Sequence, residues 1–354
     1  MATKKNITLT KKELFIKLAA DTKSFVRTAL AQNPEIDNEI QSILTKDESG
    51  GVLRALAMNP SVSNESIEAL VKIIESDDEL GSFVVQGFFD NTKLPKNVIK
   101  LITSPNHSSS DFMAIKSKAL SAAEKQVCLK RMIKKDAYET VLRDAAACDA
   151  LDDKQIDFFL THQAEDVRAE LARNPIISEA IQTNLVKDKS KIVRQRLASN
   201  TALSDKLAKL LAKDKEEDVI YSLERNLRSR SPKPPNKNAK IDYAKLLKSG
   251  SDKELIRLGL DVTTPPEVIE QLCEKYDPSY DNWISVALAQ NPHVSTDRLN
   301  SISKSKNPEV LKALATNPLV TLDILTVLSK NKDYQVRGVV ANSGFYELPP
   351  FMLS

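Results

Sequence analysis

Apolar residues recur along this chain with two periods, a helical one and a much longer one. The phrase Leu-Ala-x-Asn-Pro and close variants of it return many times, and Asn33 and Asn59 stand 26 residues apart, as do Asn174 and Asn200. We take this asparagine as the anchor of a repeat, since a fixed period of 20 to 50 residues is typical of repeat proteins. The anchors are Asn33, Asn59, Asn91, Asn174, Asn200, Asn226, Asn291 and Asn317, with Ser117, Asp149 and Asp261 in equivalent places and a degenerate copy near Asn342.

Two positions outside the phrase support this register. Four residues after the anchor, most copies carry Ser, Thr or Asp, whose side chains accept the free amide hydrogens at a helix start, and two carry proline. These residues are Asp37, Ser63, Pro95, Ser121, Asp153, Ser178, Ser204, Pro265, Ser295 and Thr321. Seven residues further on, two helical turns along one face, each of these ten copies is apolar: Leu44, Leu70, Ile102, Cys128, Leu160, Leu185, Leu211, Leu272, Ile302 and Leu328.

Each repeat is therefore predicted to contain two short helices. The first carries a motif such as VRAELA (167–172) and ends at Asn-Pro, because a residue before proline disfavours the α region. The second begins at the capping residue. Helices this short are marginal alone, so neighbouring repeats must share a core. The prediction is an all-α fold, an elongated right-handed α-solenoid of about 11–12 two-helix repeats of ~26 residues.

The repeat pattern is interrupted once over a long stretch. Residues 227–242 combine basic residues with three prolines and lack apolar periodicity, which is typical of a linker or long loop. We therefore predict an N-terminal solenoid block at 1–226, a basic linker at 227–242 and a C-terminal solenoid block at 243–354.

Composition narrows the function classes. The net charge is only +3, with eight glycines and 5% aromatic residues, so phosphate-cradling loops and aromatic-lined pockets are disfavoured. The three cysteines form no CxxC pair, and no histidine has a partner at helical spacing, so we expect no metal and no cofactor. No apolar run is long enough for a membrane span or secretory leader, which favours a cytoplasmic protein without membrane contact.

At the Asn-Pro phrase and the VR helix the chain resembles the variant leucine-rich repeat and HEAT-like α-solenoid families, over most of residues 20–345. The HEAT-like element is an Asp six residues before an Arg, matched by Asp21 with Arg27 and by Asp188 with Arg194. The resemblance implies that such pairs link successive repeats. Some variant leucine-rich repeat proteins hold an iron–sulfur cluster on N-terminal cysteines. No cysteine precedes Cys128, so that cofactor is not expected here.

Arginines are the main candidates for a binding role. In a right-handed solenoid the VR helices would line the concave surface, and their arginines would form a broken stripe on it. Two interpretations stay open, namely structural pairing with Asp or helix carbonyls of the next repeat, and contact with a partner. The candidate binding residues are Arg27, Arg143, Arg168, Arg173, Arg194, Arg225, Arg228, Arg230, Lys233 and Lys237. The single tryptophan, Trp283, is expected to fill the core.

Two functions from different classes fit these features. Because the chain consists almost wholly of repeats without a catalytic constellation, the first is a non-catalytic scaffold that binds another protein through its concave face or edge loops, as a subunit of a larger assembly. The alternative is a nucleic-acid-binding HEAT-like solenoid. A DNA-glycosylase-like enzyme is less favoured, because those relatives place an acidic catalytic residue and several aromatics in a basic groove.

Overall fold

A computed structural model describes residues 9–134, 137–230, 241–275 and 283–344. These residues form 24 α-helices and one 3-10 helix, and no β-strand occurs among them. The predicted all-α class is therefore confirmed.

The helices group into two compact units. The first unit comprises residues 1–87 and 239–354, and the second comprises residues 88–238. The first contains α1 (Lys11–Ala19), α2 (Ser24–Gln32), α3 (Asn38–Leu44), α4 (Gly50–Met58), α5 (Asn64–Ser76) and most of α6 (Asp78–Asp90), then α17 (Tyr243–Ser249), α18 (Asp252–Leu260), α19 (Pro266–Lys275), α20 (Trp283–Gln290), α21 (Thr296–Ile302), α22 (Pro308–Ala315), α23 (Leu322–Leu328) and α24 (Tyr334–Asn342). The second contains α7 (Lys96–Ile102), the 3-10 helix Pro105–Ser110, α8 (Asp111–Ala114), α9 (Ala122–Met132), α10 (Glu139–Ala146), α11 (Asp153–Leu160), α12 (Glu165–Arg173), α13 (Glu179–Leu185), α14 (Lys191–Ala198), α15 (Asp205–Leu211) and α16 (Glu217–Arg230).

Helix boundaries follow the local signals in the sequence. At Ser178 and Ser204 the hydroxyl accepts the amide hydrogen three residues on, which satisfies one of the free donors at the helix start. The same hydrogen bond forms at Asp37, Ser63, Ser121 and Thr321. At the other end, Asn174 has ψ 123°, the extended conformation expected before proline, so α12 stops there. Paired short helices are thus encoded locally.

The predicted register was wrong by one residue in a single repeat. The helix cap there is Asp152 rather than Asp153, and its side chain accepts from the Gln155 amide. Counting back four residues places the anchor at Cys148, which is buried, instead of Asp149, which is exposed. Asp152 and Asp153 can both cap a helix, so the sequence did not distinguish them. At the buried anchor position, however, Cys148 is tolerated and the charged Asp149 is not.

The predicted core positions are otherwise confirmed. Nine of the ten are buried: Leu44, Leu70, Ile102, Cys128, Leu185, Leu211, Leu272, Ile302 and Leu328. The exception follows from the register error, since Leu160 is half-buried and Phe159 is fully buried in its place. A shift of one residue turns a side chain by about 100° around the helix.

In the second unit the first helices of successive repeats lie side by side. Helix α12 packs between α10 and α14, and α14 packs against α16. The capped helices α11, α13 and α15 each contact the first helix that follows them. Neighbouring repeats therefore share one core, as the sequence pattern requires.

In the first unit the same arrangement joins the two ends of the described chain. The packing order is α18, α20, α22, α24, α2 and α4, so the last repeat lies against the first. The Phe25 and Tyr334 rings meet edge to face at 5.5 Å, and Arg337 pairs with Asp21. Within this unit, α24 and α2 therefore contact each other as consecutive repeats do. Residues before 88 thus belong to the same compact unit as the C-terminal repeats.

Residues 227–230, which the sequence analysis assigned to the linker, belong to helix α16. Helix α16 continues to Arg230, because Asn226 is followed by Leu rather than Pro and nothing stops the helix there. Residues 231–240 lie outside the described residues. The next described helix, α17, begins at Tyr243, with the Asp242 side chain as its cap.

A search of the helices in the described part of the chain finds none that combines the length and the apolar character needed to cross a bilayer.

Candidate binding surface

The anchor asparagines have a structural role. Asn200 is fully buried and its amide donates to the carbonyl oxygens of Ala172 and Asn174, at 2.8 and 2.9 Å. Its own oxygen accepts from the Ala202 amide at 2.8 Å. Equivalent hydrogen bonds to the preceding repeat occur at Asn59, Asn174, Asn226, Asn291 and Asn317, and Asn33 makes them to Ala341 and Ser343 of the last repeat. The phrase is repeated because each asparagine satisfies the helix-end carbonyls of its neighbour.

Three of the candidate arginines are held in ion pairs between repeats. Arg168 and Arg194 are only 6% and 7% exposed, and each forms a bidentate pair, with Asp188 and with Asp214. Arg27 pairs with Asp47 in the same geometry, with Nε to Oδ2 at 2.5 Å. A further guanidinium nitrogen donates to the carbonyl six residues earlier in each case. Their donors serve the contact between repeats, so a partner would have to break these bonds.

The pairing partner is not the one that the family resemblance implied. The Asp that binds each arginine lies 20 residues after it, in the turn that opens the next repeat. Asp188 therefore pairs with Arg168, while Arg194 takes the backbone carbonyl of Asp188. The available signal was an Asp 14 residues after the anchor asparagine, present at Asp47, Asp188 and Asp214.

These ion pairs shift the pKa values of both partners. Hydrogen bonds from Arg194 are the main cause that lowers the pKa of the Asp214 carboxyl, and burial opposes them. At Asp188, burial would raise the pKa, but the hydrogen bonds from Arg168 and the Ser190 amide lower it. Both carboxylates are thus stabilised in the charged form by the neighbouring repeat.

The basic residues near the predicted linker divide into three groups. Arg230 donates to the carbonyls of Leu203 and Asn200, at 2.9 and 2.6 Å, so it closes the end of α16. Arg228 is exposed and forms a surface pair with Glu224 at 3.2 Å. Lys233 and Lys237 lie outside the described residues, so their predicted binding role stays a prediction.

Arg143, Arg173 and Arg225 are exposed, and none of their guanidinium groups forms a hydrogen bond or ion pair with another described residue. Arg143 is not a VR-type arginine, because the anchor at Cys148 gives that position to the buried Leu142. Arg196, on α14, is exposed and unpaired in the same way. The structure thus separates arginines that hold the repeats together from arginines that face outward.

We call Arg143, Arg173, Arg196 and Arg225 the arginine surface. They lie on α10, α12, α14 and α16, which pack side by side in the second unit. Relative to their anchors they stand at positions −5, −1, −4 and −1. Residues at these spacings fall within about 100° of arc on an α-helix, so the four guanidinium groups share one face of the helix layer.

Two of the acidic groups on that face are already paired. Asp144 pairs with Lys116 at 2.7 Å, and Asp218 pairs with Lys191 at 3.3 Å. Glu170 is half-buried on α12, between the rows of arginines. Tyr221, 67% exposed, adds an aromatic ring on α16. The face therefore has four unpaired guanidinium groups and two unpaired acids, Glu170 and the exposed Asp166, together with one aromatic group.

The remaining candidates for chemistry are buried or dispersed. Burial raises the pKa of Cys128 and of Cys273 to about 12, and it raises that of Cys148, which disfavours the reactive thiolate. No group of three or more His, Cys, Asp and Glu residues that could hold a metal ion comes together within the ranges that the structure describes. Trp283 is 67% exposed, so the prediction that it fills the core was wrong.

Known protein-family models give no match to this chain, and no curated protein matches it. The arginine surface is therefore the feature on which a function can be argued.

Proposed function

We propose that this chain is a non-catalytic repeat scaffold, built as a right-handed α-solenoid, whose arginine surface binds an acidic segment of another protein. The observation that carries the proposal is the set of four exposed, unpaired guanidinium groups on adjacent helices of one layer. The arginines that join the repeats already have their donors occupied, so these four are available to a partner.

The chemistry of the surface favours carboxylates as the bound group. A guanidinium group binds a carboxylate through two parallel hydrogen bonds. Arginines on adjacent helices, spaced at about 8–10 Å, would bind several acidic side chains along one segment. Duplex nucleic acid instead requires a continuous cationic track along the phosphates. Glu170 and the paired Asp144 interrupt such a track.

We place the scaffold in the cytoplasm. All three cysteines are free and buried, a state that suits a reducing compartment.

The test compares a variant of the surface with a matched control. Arg143, Arg173, Arg196 and Arg225 are replaced together by Ser, and Arg257→Ser serves as the control, because Arg257 is exposed at the same helix position as Arg196 but in the first unit. A fluorescein-labelled glutamate-rich peptide and a 20-base-pair duplex are titrated by anisotropy at about 50 to 200 mM salt.

We expect the peptide to bind the wild type and the control, and binding to the fourfold variant to fall by at least about tenfold. A duplex that binds more tightly than the peptide, with a salt dependence that becomes shallower in the variant, would instead favour nucleic acid. Equal binding of both probes to the variant and the wild type would reject the surface as the contact.

A further inference from the structure

Three members of the arginine surface form a row across consecutive helices. Arg173, Arg196 and Arg225 lie on α12, α14 and α16, which pack in that order. Arg173 and Arg225 stand one residue before their anchors, and Arg196 stands four residues before its anchor. Three residues correspond to about 4.5 Å along a helix, a difference that a long arginine side chain can span. We call these three residues the arginine row.

The fourth member, Arg143, has an acid opposite it. Side chains at positions −5 and −4 of consecutive first helices face each other, as the hydrogen bond of 3.2 Å from Gln195 on α14 to Ser222 on α16 shows. On α10 and α12 the same two positions hold Arg143 and Glu170. The other unpaired acid, Asp166, lies in the first turn of α12, about 10 Å from the end of that helix. A bound anion is therefore favoured along the arginine row and disfavoured beside α10.

The spacing of the arginine row matches the repeat of a polyproline II helix. Packed helices are about 8–10 Å apart, so the helices that carry Arg173 and Arg225 are separated by about 16–20 Å. A polyproline II segment has three residues per turn and rises about 3.1 Å per residue, so every third side chain lies on one edge, at intervals of about 9 Å. A β-strand instead places side chains on one face at intervals of about 7 Å. One acidic residue in three of a polyproline II segment would thus meet one helix each.

The side chains beside the arginine row do not favour an α-helical ligand. Every seventh residue of an α-helix lies on one face at intervals of about 10.5 Å, which is slightly more than the helix spacing. Such a ligand also binds through an apolar stripe that enters a hydrophobic groove. The neighbouring positions of the row are polar, however, namely Gln195, Ser199 and Ser222.

An exposed aromatic ring stands at one end of the arginine row. Tyr221 precedes Arg225 by four residues on α16 and is 67% exposed. Residues four apart share one face of a helix, so the ring and the guanidinium group lie side by side. Proline-rich segments bind surfaces that present aromatic rings, and their preformed polyproline II conformation limits the entropy lost on binding.

We propose that the arginine row binds a polyproline II segment of another protein that carries an acidic residue at every third position. One carboxylate pairs with Arg173, the next with Arg196 and the third with Arg225. This inference rests on the proposed function, because it specifies the conformation and the spacing of the acidic segment.

The test compares two peptides of equal composition and different spacing of their acids. The spaced peptide is EPPEPPEPP and the clustered peptide is EEEPPPPPP, each labelled with fluorescein at its C-terminus. Their equal charge makes general electrostatic attraction similar, and circular dichroism checks that both adopt polyproline II. Binding to the full chain is measured by anisotropy at about 50 mM salt. Arg196→Ser removes the middle of the row, and Arg257→Ser, an exposed arginine of the first unit, is the control.

We expect the spaced peptide to bind the wild type and the control at least about fivefold more tightly than the clustered peptide, which loses two of the three guanidinium–carboxylate pairs. Replacing the central glutamate of the spaced peptide by glutamine should weaken binding to the wild type by about threefold. The same replacement should not change binding to Arg196→Ser, because the two groups are partners.

Equal or tighter binding of the clustered peptide to the wild type would overturn this inference and leave the proposed function standing. So would an equal effect of the glutamine replacement on the wild type and on Arg196→Ser. If neither proline-containing peptide binds while the glutamate-rich peptide of the preceding test does, the inference fails alone. If none of the three peptides binds, the proposed function fails with it.

Discussion

At the scale of single residues, polar side chains in this protein are buried where they join one repeat to the next. Asn200, Arg194 and Asp214 all lie in the interior or at its edge, and each has its hydrogen-bonding groups occupied. A buried polar group costs little when it is paired and several kcal/mol when it is not. The pairs therefore favour one alignment of the repeats over a slipped one.

Replacing Asn200 by Ala should destabilise the protein by about 2–4 kcal/mol, because two carbonyl oxygens of the preceding repeat would lose their buried donor. Denaturant-induced unfolding measures the change. The matched control is Asn342→Ala, an exposed asparagine, which should change stability by less than about 0.5 kcal/mol. Equal effects of the two substitutions would contradict the role of the anchor.

The Arg194–Asp214 pair should make stability depend on acid pH. The pKa of Asp214 is below its ordinary value of 3.8 in the folded chain, so its stabilising contribution is complete above the unfolded-state pKa and is lost as the pH falls through the folded-state value. We expect the free energy of unfolding to fall below about pH 5.

The variant Asp214→Asn should show a smaller fall over the same range, starting from a lower stability at pH 7. Lys191→Met, which removes an exposed pair with Asp218 instead, should keep the wild-type slope. A steep fall that is unchanged in Asp214→Asn would show that other carboxylates cause it.

At the scale of helices, caps and apolar positions decide which face is buried. The one misassigned repeat shows how sensitive this is, because moving the cap from Asp153 to Asp152 moves the buried position from Leu160 to Phe159. The same shift turns Arg143 outward and places Leu142 in the core. A candidate binding residue can thus be gained or lost through a register change of one residue.

Phe159→Ala should therefore cost about 3–5 kcal/mol, since it leaves a cavity at a fully buried site. Its neighbour Leu160 provides the control, because this half-buried side chain should cost clearly less when replaced by Ala. Chemical denaturation of the two variants decides between the registers. If Leu160→Ala is the more damaging change, the helix is capped by Asp153 and Leu160 is the core residue of this repeat.

At the scale of the whole molecule, sequence distance does not predict which repeats are neighbours. Asp21 and Arg337 are 316 residues apart, yet they form the same bidentate pair that Asp188 and Arg168 form across 20 residues. Asn33 likewise donates to the carbonyls of Ala341 and Ser343. In the first unit, the same types of contact that link consecutive repeats therefore also link two parts of the chain that are distant in sequence.

Replacing Arg337 by Gln should loosen α2 and α24 together, because Asp21 would remain largely buried without its partner, at a cost of about 3 kcal/mol. Hydrogen exchange followed by mass spectrometry should show faster exchange in both helices. Arg168→Gln is the matched control, and it should accelerate exchange in α12 and around Asp188 instead. Loosening of α24 without α2 would contradict the shared contact.

The sequence by itself determined the helical class, the paired helices, most caps and nine of the ten core positions. These depend on local physics, namely the conformation before proline, side-chain capping and helical periodicity. The sequence also identified the arginines as candidate binding residues. It did not distinguish the paired Arg168 from the exposed Arg173, which lies five residues later on the same helix. That distinction needs the Asp of the next repeat, a contact that exists only after stacking.

Only the tertiary structure decided which repeats meet at α2 and α24, because the repeats carry similar sequence motifs and these motifs do not specify which repeats become neighbours. The pairing of Asp21 with Arg337 and the ring of Phe25 over Gly338 select one order. The arginine surface lies in the second unit and follows from the stacking of α10, α12, α14 and α16 there. It consists of the side chains that remain exposed once the contacts between those repeats have been made.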